Sequence, residues 1–227
     1  VFATHYPLVN IPGLYFMKLH QERSYALALK DAPAVDGMFI GEGGGFSFRT
    51  YEDFLLVGGG GHRTGKGPGS EEGYRAIRTF ADAAYPGCVE CCAWATQDCM
   101  SLDGVPYIGP YSASTSNLYV ATGFNKWGMT TSMAAAMLLS DLVQGKENPW
   151  QDVFSPSRTM LHPQLVVNGF EALVSLLTPT ARRCPHLGCA LKWNPQEHTW
   201  DCPCHGSRFT KKGKCIDNPA TGDLTSC

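Results

Sequence analysis

Along residues 1–60, short apolar runs alternate with turn-forming residues. Positions 14–19 (Leu-Tyr-Phe-Met-Lys-Leu), 24–30, 37–40 and 54–57 read as strands bounded by Gly, Pro, Asp or Ser. The period then changes. Tyr74, Ile77, Phe80, Ala81 and Ala84 make one stripe at helical spacing over 71–85. Ser70 stands where a helix cap belongs, and Glu71 and Glu72 suit the positive end. Residues 118–122 read as a buried strand, 123–128 as a glycine-containing turn, and 130–144 as a helix stopped by Gly145. Composition shifts at 148–156. A short amphipathic helix over 168–177 ends at Pro179. Beyond 180 the chain is rich in Cys, His, Gly and Pro and poor in apolar periodicity. The pattern predicts an α+β chain without internal repeats.

The 227 residues are 44% hydrophobic and 17% charged, enough apolar matter to bury a core. The net charge of -2 supplies no basic field for nucleic acid or an acidic membrane surface. No run approaches the roughly 20 apolar residues needed to span a bilayer. The 25 glycines and 15 prolines imply many tight turns, and 10 cysteines call for a metal, redox or disulfide explanation. The chain opens inside an apolar run, Val1-Phe2-Ala3-Thr4, which reads as the end of a buried strand with upstream sequence missing; a signal peptide cannot be judged from it. The polar residues 223–227 read as a frayed natural end.

The tail holds Cys184-Pro-His186-Leu-Gly-Cys189 and Cys202-Pro-Cys204-His205-Gly-Ser207. Cys-x-His is followed, after fifteen residues, by Cys-x-x-His. Two thiolates and two imidazoles at this spacing could close a four-coordinate zinc site. They could equally hold a [2Fe–2S] cluster, with Cys on one iron and His on the other. A zinc site needs neither Cys189 nor Cys204.

These two loops closely resemble those of Rieske proteins, which read C-T-H-L-G-C and C-P-C-H-G-S. The resemblance covers the tail, 180–227, and implies a small all-β cluster module. It implies Cys184 and Cys202 on the buried iron and His186 and His205 on the outer iron. It further implies a Cys189–Cys204 disulfide between the loops, and a Ser207 hydroxyl bonded to a cluster sulfur. Two departures follow. High-potential Rieske proteins carry Tyr where this chain has Phe209, so the expected potential lies toward the lower part of the Rieske range of roughly -150 to +300 mV. The stretch before Cys184 is also too short for the usual several-stranded base, so a reduced, cluster-loop-only module is expected. Histidine ligation implies that each ring keeps an ionisable N–H, so electron uptake can be coupled to proton uptake.

Leu118-Tyr-Val-Ala-Thr-Gly-Phe-Asn-Lys-Trp-Gly-Met-Thr is a strand, a glycine turn and a helix start. Such a turn can bring N–H groups onto a negative ligand, although many α/β proteins have one. Upstream lies Asp103-Gly-Val-Pro-Tyr-Ile-Gly109. The order D-G-x-P-x-I-G, strand, G-F-x-x-x-G, helix resembles the C-terminal part of FAD-dependent oxidoreductases of the D-amino-acid oxidase and glycine oxidase type. That resemblance spans residues 1–150 and implies a substrate and flavin-wall part, a mixed sheet with helices. One branch of these flavoproteins carries a C-terminal Rieske module. The resemblance places Gly123, Phe124, Lys126, Trp127, Gly128, Met129 and Thr130 against the flavin. The expected organisation is a partial flavoprotein domain over 1–155, a linker with a short helix over 156–179, and the cluster module over 180–227.

Amino-acid oxidases of this type read W-A-x-x-R before D-G-x-P, the Arg binding the substrate carboxylate. Here Trp94-Ala95 leads to Asp98. An acid cannot pair with a carboxylate, so simple α-amino acids are disfavoured and a cationic amine becomes as plausible; Asp98 could also only cap a turn. No glycine cluster fits the G-x-G-x-x-G turn that holds the family's ADP moiety. The chain is therefore expected to lack the nucleotide-binding half and not to bind FAD tightly by itself.

Other signals are weaker. Gly60-Gly-His-Arg-Thr-Gly65-Lys66 nearly matches a phosphate loop, but Gly67 replaces the hydroxyl that would meet Mg²⁺; a flexible loop with a solvated His62 is expected. Cys88, Cys91, Cys92 and Cys99 could suggest zinc or a second iron–sulfur centre, but the resembling flavoprotein fold has a strand over 89–95, whose alternation would put some inside and some outside, so ordinary half-buried thiols are expected. Residues 133–139 read as a helix face packed on the sheet. The functional expectation is an FAD-dependent oxidoreductase acting on an amine or amino-acid-like substrate and passing electrons through the cluster to an external acceptor, in the cytoplasm. The alternative is a non-catalytic Rieske electron-transfer module whose other half is a docking domain, or a cluster that only staples the tail.

Overall fold

A computed structural model describes all residues except 10, 43, 44, 68, 116, 226 and 227. Gly43, Gly44 and Pro68 of the inspected glycine clusters, and the last two residues of the expected frayed end, thus lie outside the described residues. The chain divides into two compact units. One comprises Val1–Gln21, Asp98–Trp193 and His198–Cys227, and the other Glu22–Gln97 and Asn194–Glu197.

In chain order the elements are α1 (Tyr15–Lys18), β1 (Leu19–Lys30), β2 (Met38–Ile40), β3 (Phe46–Tyr51), β4 (Phe54–Arg63), α2 (Ser70–Ala84), β5 (Val89–Ser101), β6 (Tyr107–Pro110), β7 (Tyr119–Thr122), α3 (Gly128–Val143), α4 (Gln151–Phe154) and α5 (Pro163–Leu177). Four short strands close the chain: β8 (Lys192–Asn194), β9 (Thr199–Asp201), β10 (Arg208–Thr210) and β11 (Cys215–Asp217).

The second unit is built on a sheet of order β2-β3-β4-β1-β5. Alternation drives it: Tyr25, Leu27 and Leu29 of β1 and Leu55 and Val57 of β4 are buried on one face under Tyr74, Ile77 and Ala81 of α2. Phe80 stacks on Phe46 at 4.4 Å. The glycines that imitate a phosphate loop serve packing instead. Gly60 takes φ 65° at an irregularity in the β1–β4 pairing, where a non-glycine residue would be strained. A Cβ on Gly73 would overlap the Tyr25 ring, so glycine lets α2 lie close on the sheet. His62 is not solvated as expected. It sits in β4, stacked on Tyr25, with Nε2 2.7 Å from the Tyr25 hydroxyl and Nδ1 2.9 Å from the Arg63 carbonyl. Ser70 does not cap α2; Gly69 holds that position, and the Ser70 hydroxyl lies 2.9 Å from Tyr25 Oη and accepts from Asn194 Nδ2. Arg23, 3% exposed, donates to both Glu197 oxygens at 2.5 and 2.6 Å. Asn194–Glu197, the end of β8 and the turn after it, are thereby fastened into this unit.

In the first unit, the β6–β7 hairpin carries Ile108 and Ala121 against Ala135, Leu138 and Leu139 of α3. Phe2 bridges Val120 in parallel. A second core gathers Tyr6, Tyr15, Leu19, Cys99, Tyr107, Tyr111 and Val120. The tail sheet runs β11-β10-β9-β8. On it, buried Arg208 bonds Asp201, Asp217 and Thr199 at 3.1–3.3 Å.

Several local expectations change. Residues 14–19 are not a strand: Leu14 turns left-handed (φ 55°) and one helical turn precedes β1. The apolar run there is buried by tertiary packing, and period alone cannot separate a short buried turn from a strand. The last long helix begins earlier than expected, at Pro163 behind a His162 cap. Met133 and Met137 of α3 point to solvent, 69% and 55% exposed, so only part of that face is packed. The four cysteines fall inside and outside as alternation led one to expect: Cys91 and Cys92 are exposed, Cys88 is intermediate and Cys99 is buried. No helix is long and apolar enough to cross a membrane among the described residues.

Candidate electron-transfer site

The two tail loops are built alike. In the first, Cys184 N–H donates to Cys189 O, and Gly188 N–H donates back to Cys184 O, both at 2.8 Å. In the second, Cys202 N–H donates to Ser207 O and Gly206 N–H to Cys202 O, both at 2.9 Å. Gly188 and Gly206 hold the same place in each loop with φ 78° and 82°. Each closed turn points backbone N–H groups at its first cysteine. The sequence signal was present as Cys followed four residues later by Gly in both loops.

The loops face each other. Cys189 and Cys204 form a disulfide across them, with Cα atoms 6.7 Å apart. The Cys189, Cys202 and Cys204 sulfurs lie within 4.8 Å of one another. Two of these sulfurs are spent in the disulfide, which leaves Cys184 and Cys202 as thiol donors, both buried. The His186 and His205 rings meet edge-on, 5.0 Å apart. Ser207 is fully buried, its Oγ accepting from Ala220 N–H at 2.9 Å. Phe209 is fully buried in the same core.

The donor set suits a [2Fe–2S] cluster. The Cys184 thiol is pulled down to about 7 by its hydrogen bond with Cys202, against burial, with help from Ser207 and the His186 and Leu187 amides. Cys202 is pushed up by sharing that proton and by burial. One anionic sulfur, on Cys184, is thus favoured even before a metal adds its charge, while Cys202 keeps the shared proton. Burial lowers His186 to about 4, which keeps its ring neutral, the form that binds metal. The Nδ1 atoms of both rings are buried. His205 Nε2 lies 2.9 Å from the Phe16 carbonyl, which fixes the orientation of that ring. The Nε2–H of His205 is thereby held by the Phe16 carbonyl.

The turn expected to line the flavin sits in the same unit. Gly123 takes a left-handed φ of 69° that strains any other residue, and a side chain there would press closely on Leu19 and Ser101. Phe124 packs on the hairpin core. Lys126, Trp127, Gly128, Met129 and Thr130 are all exposed in sequence, leaving the start of α3 open. Asn125, which sequence reasoning missed, holds this turn. It sits left-handed (φ 54°), its N–H donates to Cys99 O, its Oδ1 accepts from Ser101 N–H, and its Nδ2 donates to Gly104 O and Gly123 O. The Asp103 turn is held in turn by Arg158, also missed. Its guanidinium donates to both Asp103 oxygens at 2.7 and 2.8 Å and lies 4.0 Å over the Tyr107 ring. Asp98 is half-buried inside β5, not at a turn.

Two buried groups stand between these regions within the unit. Tyr6 is fully buried, its ring edge-on to His186 at 6.1 Å and to His205 at 6.2 Å. Its hydroxyl donates to Tyr15 O at 3.3 Å. Burial raises its pKa, and the Cys99 and Cys202 sulfurs raise it further. Burial likewise pushes the Cys99 thiol up to about 12.

Comparison with known proteins gives a two-part result. Residues 3–142 match the model of the FAD dependent oxidoreductase family, and residues 173–227 that of the Rieske [2Fe-2S] domain. The Rieske 2Fe-2S iron-sulfur protein YhfW of Bacillus subtilis (strain 168) is 34% identical over 99% of this chain and 53% of its own length. The chain thus spans about half the length of that relative. The alignment is longer than this chain, so the relative carries residues inside the matched span that this chain lacks. The cytochrome b6-f complex iron-sulfur subunit of Synechococcus sp. (strain JA-3-3Ab) is 49% identical over 41 residues, 18% of this chain and 24% of its own. Glycine oxidase from Geobacillus kaustophilus shares the fold over 63% of this chain and 40% of its own, with a TM-score of 0.54 at 20% identity.

Proposed function

The chain belongs to the FAD-dependent oxidoreductase family and carries a Rieske [2Fe–2S] domain, and from that premise we propose that the whole protein oxidises a C–N bond in an amine or amino-acid-like substrate and delivers the electrons through the cluster to an external acceptor. The observation that carries this reading is the placement of the open turn around Gly123 and the Cys184/Cys202 cradle in one compact unit. When bound, FAD supplies hydride acceptance and the [2Fe–2S] cluster supplies one-electron storage.

The residues of this chain have distinct parts. Gly123, Phe124, Lys126, Trp127, Gly128, Met129 and Thr130 form the flavin wall, and the first-turn N–H groups of α3 favour negative charge there. Asn125 and Arg158 keep that wall in shape. Cys184 and Cys202 would hold the buried iron, His186 and His205 the outer iron, and the Ser207 hydroxyl, which bonds the Cys184 sulfur here, would donate to a cluster sulfur. The Cys189–Cys204 disulfide clamps the two loops. Asp98, in the place where related oxidases bind a carboxylate with Arg, favours a cationic amine. We place the protein in the cytoplasm, where clusters are assembled.

The test uses the full-length protein without oxygen. Amines and amino acids are added while flavin absorbance and the cluster EPR signal are followed. A substrate that bleaches flavin and then produces the reduced-cluster signal supports the reading. A cluster that dithionite reduces, beside a protein in which no flavin is bound and no amine acts, overturns it in favour of an electron-transfer module.

A further inference from the structure

We propose that Tyr6, backed by Cys99, is the bridge by which electrons cross from the flavin wall to the cluster ligands, an inference that rests on the reading above. All the groups concerned lie in one compact unit.

On the flavin side, Cys99 is bound to the turn twice. Its carbonyl accepts from Asn125 N–H at 3.0 Å, and its sulfur accepts from the Gly123 amide and lies 3.9 Å from Thr122 Oγ1. Cys99 and Tyr6 pack in one core. On the cluster side, the Tyr6 ring meets both ligand histidines, at 6.1 and 6.2 Å between centroids. A second route leaves the Tyr6 hydroxyl. It donates to Tyr15 O, and the next carbonyl, of Phe16, lies 2.9 Å from His205 Nε2. Tyr6 is fully buried, so this gap is filled by protein rather than water. Packed side chains and hydrogen bonds of this kind give an electron closer coupling than the same span of solvent.

Each crossing takes one electron from reduced flavin and adds one to the oxidised cluster, and no bond forms or breaks in the bridge. Two crossings, with two one-electron reductions of the external acceptor, balance one two-electron substrate oxidation. Tyr6 and Cys99 are unchanged at the end.

The test uses the full-length protein with both cofactors, without oxygen. Light with EDTA as donor reduces the flavin, and the cluster is followed by its visible bleaching and by EPR. Light takes the place of substrate, so a wrong substrate class would not affect the outcome. Tyr6→Phe keeps the ring and removes only the hydroxyl route, so it should slow transfer less than Tyr6→Met. Tyr6→Met refills the volume with a flexible non-aromatic chain and should slow transfer by at least an order of magnitude, with cluster potential and EPR line shape unchanged. Cys99→Ala should slow it severalfold with the same unchanged spectra. A wild-type rate in Tyr6→Met or Cys99→Ala with the cluster intact overturns the bridge. Loss of the cluster from both variants overturns it as well, because it assigns the two residues to holding the pocket.

Discussion

Arg158→Ala tests how the flavin wall is held. Arg158 is 13% exposed and donates to both oxygens of Asp103, which is 33% exposed. It also donates to the Val105, Pro106 and Ser155 carbonyls at 2.5, 3.1 and 3.2 Å and covers the Tyr107 ring. Removing one partner of a fully buried pair costs roughly 3–5 kcal/mol. Asp103 is partly solvated and can recover water, which lowers the charge term to about 2 kcal/mol. The lost ring contact adds about 0.5–1 kcal/mol. The expected loss is about 3 kcal/mol, or a fall in Tm of roughly 6–12 °C for a chain of this size, read by denaturant titration and calorimetry. The pH dependence should change too. Burial would raise Asp103, but the Arg158 hydrogen bonds and the Val105 amide outweigh it and hold its carboxyl below the ordinary value. A folded pKa below the unfolded one stabilises above the unfolded value of about 3.9 and ceases to do so as pH falls through it toward the folded value. The variant should therefore lose less stability than wild type over that acid window. A loss under about 1 kcal/mol with an unchanged acid limb would refute the account of this turn.

Three further outcomes are expected. Phe209→Tyr places a hydroxyl in the cluster core; a hydrogen bond stronger to the reduced state by about 1.4 kcal/mol raises the potential by roughly 59 mV, and a redox titration showing no rise with an intact cluster contradicts it. Cys189→Ser with Cys204→Ser opens a loop of sequence separation 15, which should cost about 3 kcal/mol and hasten iron loss, measured by iron release under chelator; equal release rates would count against the clamp. Gly73→Ala drives a methyl into the Tyr25 ring and should destabilise by roughly 1–3 kcal/mol, checked by urea unfolding, whereas an unchanged midpoint would show that α2 can lift freely.

How much of this was legible in the sequence depends on where the information lies. The proposed cluster ligands are close in sequence, and Cys, His, Gly and Pro at fixed offsets carry the match to the Rieske [2Fe-2S] domain. Helix α2 was legible because five apolar positions share one face. The strand expected over 14–19 failed because tertiary packing, not local period, buries those residues around a left-handed Leu14. Ser70 looks like a cap in sequence, but Tyr25 and Asn194 claim its hydroxyl. Arg158, Asn125 and Tyr6 were invisible for one shared reason. Each acts on partners distant in the chain, as Arg158 does on Asp103 across 55 positions, and no local spacing announces such a pairing.

The most direct measurement of the central claim is EPR of anaerobically purified protein before and after dithionite, with iron and acid-labile sulfide counted. The account predicts two irons and two sulfides per chain and a rhombic signal of low average g that appears only on reduction. Zinc in the tail with no reducible signal would contradict it, and the electron path from the Gly123 turn to His186 and His205 would fall with it.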